Sequence, residues 1–225
     1  MYKQAVYYFG AVLLIALIGF YPSYFGNLGN VDLVHHFHGI AATLWLLMLV
    51  VQSWLMRTGK IQAHRIVGRT SLILVPLFIL SGLFMIKAIV TSPSGFSLAF
   101  GSRLAWIDTV TMITFVVVYV SAIYYRKSIQ LHARFMASTA ILVLPPALGR
   151  IMPRLGEWIT SFEMAVHLSY AICIIVVLSL IYDDYRRGKW RAPYFILLLS
   201  VGLQQFGFYA SNDWSWWMSL VNAFK

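Results

Sequence analysis

Six histidines stand out in a chain of which only 11% is charged. His35, His36 and His38 fall within four residues. His64 and His132 each open an apolar run, and His167 follows Glu163 by one helical turn. Neutral imidazole is the commonest biological metal ligand and a standard axial ligand of haem iron. Asp108, Glu163 and His167 interrupt apolar runs, where an ionisable group is costly and by default marks a function. The competing structural reading pairs Asp108 or Glu163 with Arg103 or Arg150 as an ion-pair clamp.

The segments around His64 and His132 repeat each other without gaps. Ile61/Ile129, Gln62/Gln130, His64/His132, Ser71/Thr139, Ile73/Ile141, Leu74/Leu142 and Val75/Val143 match at one offset, and Thr43/Thr111, Val50/Val118 and Ser53/Ser121 extend it weakly upstream. Two copies of one helical hairpin in parallel orientation place both histidines at one depth, near the same face of a bundle, about an axis along the membrane normal. Such a pair suits a bis-histidine b-type haem, with Arg65, Arg69 and Arg134 neutralising its carboxylates. His38 and His167 would serve a second cofactor at the other face. There His35, His36, His38, Asp108, Glu163 and His167 also form a mixed imidazole–carboxylate set that suits a transition metal (zinc, iron, copper or manganese). Three chemistries therefore stand open: electron transfer or a related redox step, metal-dependent hydrolysis, and a cofactor-free transporter, sensor or assembly factor whose histidines cap helices.

The elements that must position these groups are membrane helices. The chain is 60% hydrophobic, and soluble domains carry about 25% charged residues. Seven apolar runs, at about 5–22, 35–56, 66–90, 103–125, 133–151, 159–182 and 192–210, meet the roughly 17–25 residues a spanning helix needs. The expected fold is an all-α polytopic bundle, one transmembrane domain over 1–225, with the lipid bilayer as its solvent. Of 17 Lys and Arg residues, twelve (Lys3, Arg57, Lys60, Arg65, Arg69, Arg126, Lys127, Arg134, Arg186, Arg187, Lys189 and Arg191) fall on one side of these spans. That bias predicts a cytoplasmic N-terminus, an outer C-terminus and the cytoplasmic membrane as location, and it accounts for the net charge of +10 without nucleic acid as a partner. A redox partner or a small-molecule substrate is expected instead. The single cysteine, Cys173, permits no internal disulfide. The first run has no small-residue cleavage pattern, so it is read as a retained span. Pro145-Pro146 with Gly149 must kink or loosen the fifth span. The Asp213–Trp217 stretch reads as an interfacial anchor, and Gln204-Gln205 has no assigned role.

His38-Gly, Gln52, His64-Arg-x-x-Gly68-Arg69, His132-x-Arg134-x-Met136 and Arg150 together resemble an uncharacterised bacterial family of multi-pass membrane proteins, in which H-R-x-x-G-R and H-x-R-x-M segments open two helices. The resemblance covers about residues 35–152 and implies the fold without a chemistry. More loosely, the layout is similar to the ascorbate-dependent transmembrane b-type cytochromes, whose four histidines on four consecutive helices hold two haems. Here His64 and His132 match one haem. The fourth span lacks a histidine to partner the second, so His167 would have to take that place.

Overall fold

Caps and glycines set the ends of the helices. In this computed structural model, which describes residues 4–224, Asp32, Ser94 and Ser161 each accept a backbone N–H three residues on, opening α2 (Leu33–Arg57), α4 (Gly95–Tyr124) and α7 (Phe162–Arg186). Gly59 and Gly188 adopt positive φ (72° and 66°) just beyond α2 and α7, a conformation glycine takes without strain. The remaining helices are α1 (Ala5–Phe20), α3 (Ile61–Thr91), α5 (Ile129–Ile141), α6 (Leu144–Ile151), α8 (Ala192–Ala210) and α9 (Ser215–Ala223). Among the described residues there is no strand. Lys3 and Lys225 lie outside them.

Seven spans are long and apolar enough to cross a membrane: Ala5–Phe25, Leu33–Arg57, Ile61–Thr91, Gly95–Tyr124, Ile129–Arg154, Phe162–Arg186 and Ala192–Asp213. The chain is an all-α, multi-pass membrane protein. The largest departure from the hydropathy reading is the start of the fourth span. The third and fourth spans are joined across residues 92–94 alone, and α4 starts at Gly95 rather than near 103. The Ser- and Gly-rich stretch after Ser92 lowers hydropathy without ending the helix, because Ser94 caps it and α9 covers it. Trp217 Nε1 donates to the Ser102 carbonyl at 3.3 Å, and Trp106 meets Trp214 at 4.8 Å. Asp108 is therefore the fourteenth residue of α4, about 20 Å from its start, deeper than a helix beginning near 103 would place it. At nine residues α9 does not span.

The helices close a ring in the order α1, α2, α3, α4, α8, α7, α6 and back to α1, with α5 in the middle against α4 and α8. The fifth span is the most buried of the seven, and it does not stay central. After Ile141 the chain tightens into three-residue turns (Val143 N–H to Ala140 O, 3.1 Å). Pro145 and Pro146 bring no N–H to continue the helix. The chain resumes as α6, displaced into the wall between α1 and α7. Gly19 of α1 lets the Ala147 backbone come within what would be its Cβ, and Gly149 lies against Ser169 of α7. So the middle of the bundle is filled by α5 at one end and vacated by α6 at the other.

Candidate functional site

At the end of the bundle filled by α5, the two repeated segments come together. His64 and His132 are each the fourth residue of their helix, with N–H groups donating to Lys60 O (3.0 Å) and Ser128 O (2.9 Å). Their rings stand 6.4 Å apart between centres at 86°. His132 Nδ1 lies 2.8 Å from the Ala122 carbonyl. A carbonyl only accepts, so Nδ1 carries the proton and Nε2 keeps its lone pair, the state of a metal-ligating histidine. His64 Nδ1 is buried without a partner, and so is Oε1 of Gln52. The Gln52 amide nitrogen stands 3.1 Å from where a Cβ on Gly68, one turn beyond His64, would lie.

The three arginines expected beside this pair divide. Arg65 and Arg69 are exposed, one turn apart, without a hydrogen bond or ion pair among the described residues. Arg134 is only 2% exposed, and it points elsewhere. It forks onto the Asp184 carboxylate of α7 through Nε (2.8 and 3.0 Å) and Nη2, and gives Nη1 to Gln130. Arg191 adds a third donor to Asp184 at 2.9 Å. Arg134 therefore ties α5 to α7 and is not available to a cofactor carboxylate. Asp184 is the residue the sequence reading missed. Its signal was an acid at the basic end of an apolar helix.

At the other end the expected ligand set is dispersed. His35 pairs with its own cap, Asp32, at 2.8 Å. His36 uses both ring nitrogens to hold the α1–α2 connection, on Tyr24 (3.4 Å) and Leu28 O (3.1 Å). His167 donates Nδ1–H to Gln205 Oε1 (3.0 Å) and accepts at Nε2 from Tyr209, whose ring stacks on it. Both of its nitrogens are spent on α8, so it does not complete a second cofactor site. Gln204 receives the Tyr170 hydroxyl at 2.7 Å, so the two glutamines join α7 to α8. Glu163 pairs with Arg103 at 3.9 Å, the structural clamp weighed above. Among the described residues no three His, Cys, Asp or Glu side chains gather as a metal site.

His38 and Asp108 remain, and both face inward. Ser81 Oγ spends its proton on Phe78 O (2.7 Å), so it accepts from His38 Nδ1–H (3.1 Å) and leaves Nε2 with a lone pair. On α4, Asp108 shares the helical stripe of the buried residues Ser97, Gly101, Phe115 and Tyr119, yet it is exposed. An exposed residue on the stripe that faces the bundle lines an internal space. Arg150 of α6 is likewise exposed and surrounded by protein. It lies over the Phe20 ring (4.4 Å) and bonds Pro146 O (2.9 Å). It forms no ion pair with Asp108. This is the space left when α6 moves into the wall.

No family model matches the chain, and comparison with curated proteins and with solved structures gives no match.

Proposed function

We propose that the protein is a membrane electron-transfer protein that holds one b-type haem between His64 and His132. One observation carries the reading: two repeat-related histidines meet at a spacing that fits one metal ion. With metal–nitrogen bonds of about 2.0–2.1 Å, imidazoles on opposite sides of one ion have ring centres roughly 6 Å apart, against 6.4 Å here.

His132 would ligate through Nε2, with Ala122 O fixing its tautomer. His64 would ligate opposite, and rotation of the Gln52 amide toward it would give its ring an acceptor. Arg65 and Arg69 would hold the haem carboxylates, while Arg134 keeps α5 in place through Asp184. A haem with two protein ligands has no open position, so the chemistry it supplies is one-electron transfer. The zinc, iron or manganese hydrolase is disfavoured by the dispersal of His35, His36, His38, Asp108, Glu163 and His167. The basic residues put the His64/His132 end at the cytoplasmic face of the cytoplasmic membrane, with the N-terminus inside and the C-terminus outside.

The test is an absorption spectrum of detergent-purified protein, oxidised and then dithionite-reduced. A Soret band that shifts on reduction, and that His64→Ala and His132→Ala abolish while the protein stays folded, is expected. A spectrum unchanged in both variants sinks the assignment.

A further inference from the structure

The space around Asp108 is a second, independent feature. Its walls come from separate helices. His38 is tied to Ser81 of α3, whose neighbour Gly82 lies against Met112, one turn from Asp108. On the far side Gly149 touches Ser169, next to Tyr170. Three polar groups point into this space with capacity unused. The Asp108 carboxylate has no hydrogen bond or ion pair. The Arg150 guanidinium has one hydrogen bond, to Pro146 O. His38 Nε2 carries a free lone pair.

An Asp and an Arg in a low-dielectric interior attract strongly. Here the guanidinium lies on the Phe20 ring and the Pro146 carbonyl instead, and Asp108 has no ion pair. A ligand that completes this arrangement offers hydroxyl donors to Asp108 and His38 Nε2, an oxygen acceptor to Arg150, and a flat apolar body to Phe20 and Phe78. Phe78 lies 5.3 Å from the His38 ring.

We propose that this chamber binds a hydroquinone ring, with its hydroxyl groups on Asp108 and His38 and an oxygen on Arg150. Binding stands on the chamber alone; the role of the ligand as electron donor rests on the redox reading above. In that role oxidation breaks both O–H bonds and yields quinone, two protons and two electrons. Asp108 and His38 Nε2 would take the two protons, and the two electrons would leave one at a time, by way of the haem that His64 and His132 would hold, to a one-electron acceptor protein. Rings extend from Phe78 toward the basic end as far as Tyr119: Phe78 meets Phe115 at 5.1 Å, and Trp45 lies 5.4 Å from Phe115 and 5.7 Å from Tyr119.

The experiment is anaerobic calorimetric titration of the full chain in detergent with duroquinol, alongside alanine as a zwitterion that could bridge the same charges. Saturable duroquinol binding is expected, weakened at least tenfold by Asp108→Asn and by Arg150→Gln. Lys87→Ala, on the exposed face of α3, should keep it. Unchanged thermal midpoints show that the variants fold. Non-saturating uptake, saturable alanine binding without duroquinol, or duroquinol binding indifferent to both chamber variants overturns the proposal. Duroquinol binding in a protein without a haem spectrum would uphold the chamber and sink only its redox role.

Discussion

Two aspartates, one at the basic end of the bundle and one midway along α4, are treated in opposite ways. Asp184, 3% exposed, accepts from two guanidinium groups and fastens α5, α7 and the start of α8. Asp108, also within the ring of helices, is given no partner, and the Arg150 guanidinium lies on a ring and a carbonyl instead. A carboxylate whose acceptor sites are filled by the chain is a fastening; one left open has its acceptor sites free for the ligand proposed above. The same contrast separates His167, with both nitrogens spent, from His38, with one.

The largest effect should come from breaking the fastening. Asp184→Ala strands Arg134 and Arg191 together, and removing one partner of a buried ion pair costs about 3–5 kcal/mol. A loss of that size should show as a large drop in thermal midpoint in detergent. Asp108→Asn removes a charge that nothing neutralises by contact, so its midpoint should hold or rise. Equal losses in the two variants would erase the distinction.

A smaller effect tests the wall that makes the open end open. A methyl group on Gly19 meets the Ala147 backbone, whereas one on Gly10 meets nothing within 4 Å. Overpacking of this kind costs about 1–3 kcal/mol. Gly19→Ala should therefore destabilise the protein and push α6 off α1, while Gly10→Ala leaves the melt unchanged. If Gly19→Ala melts like Gly10→Ala, the contact between α1 and α6 does not set the chamber wall.

Much of this contrast was legible in the sequence, and what was not has physical reasons. Hydropathy located all seven spans, and the matched segments brought His64 and His132 together, because a repeat fixes relative depth. Pro145-Pro146 announced a break. It did not announce that α6 would leave the centre, which depends on Gly19 and Gly149 admitting it to the wall. Asp184 was invisible because its partner Arg134 lies fifty residues away, a distance no helical period connects. His167 read as a ligand because its hydrogen-bond partners, Gln205 and Tyr209, sit on another helix. Among His35, His36 and His38, spacing alone could not choose; Ser81, on α3, turns only His38 inward.

A polar contact also joins α3 and α4 in the apolar middle. Tyr119 and Ser71 hydroxyls lie 2.8 Å apart between α4 and α3, and Ser71 donates to Gly68 O at 2.6 Å. The proton between the hydroxyls therefore comes from Tyr119. Tyr119→Phe loses one neutral hydrogen bond, about 1 kcal/mol, and leaves Ser71 still bonded to the backbone. Its midpoint should fall well short of the Asp184→Ala loss. A loss as large as that would mean that the two ends are coupled through this contact.

A third aspartate sharpens the comparison from outside the membrane. Asp32 caps α2, and the His35 backbone N–H, followed by the His35 ring, holds its carboxyl below the ordinary value of 3.8. A lowered folded-state value means that ionised Asp32 stabilises the fold. The contribution is complete above the ordinary value and disappears as pH falls through the folded one. Asp32→Ala should cost about 0.5 kcal/mol, the low end for an exposed cap, while Asp32→Asn keeps a capping oxygen and loses less. The midpoint difference between wild type and Asp32→Ala should shrink once pH drops below 3.8. A difference that grows in acid would show that the carboxyl is strained rather than satisfied. Asp32 would then belong with the open Asp108 and not with the fastened Asp184.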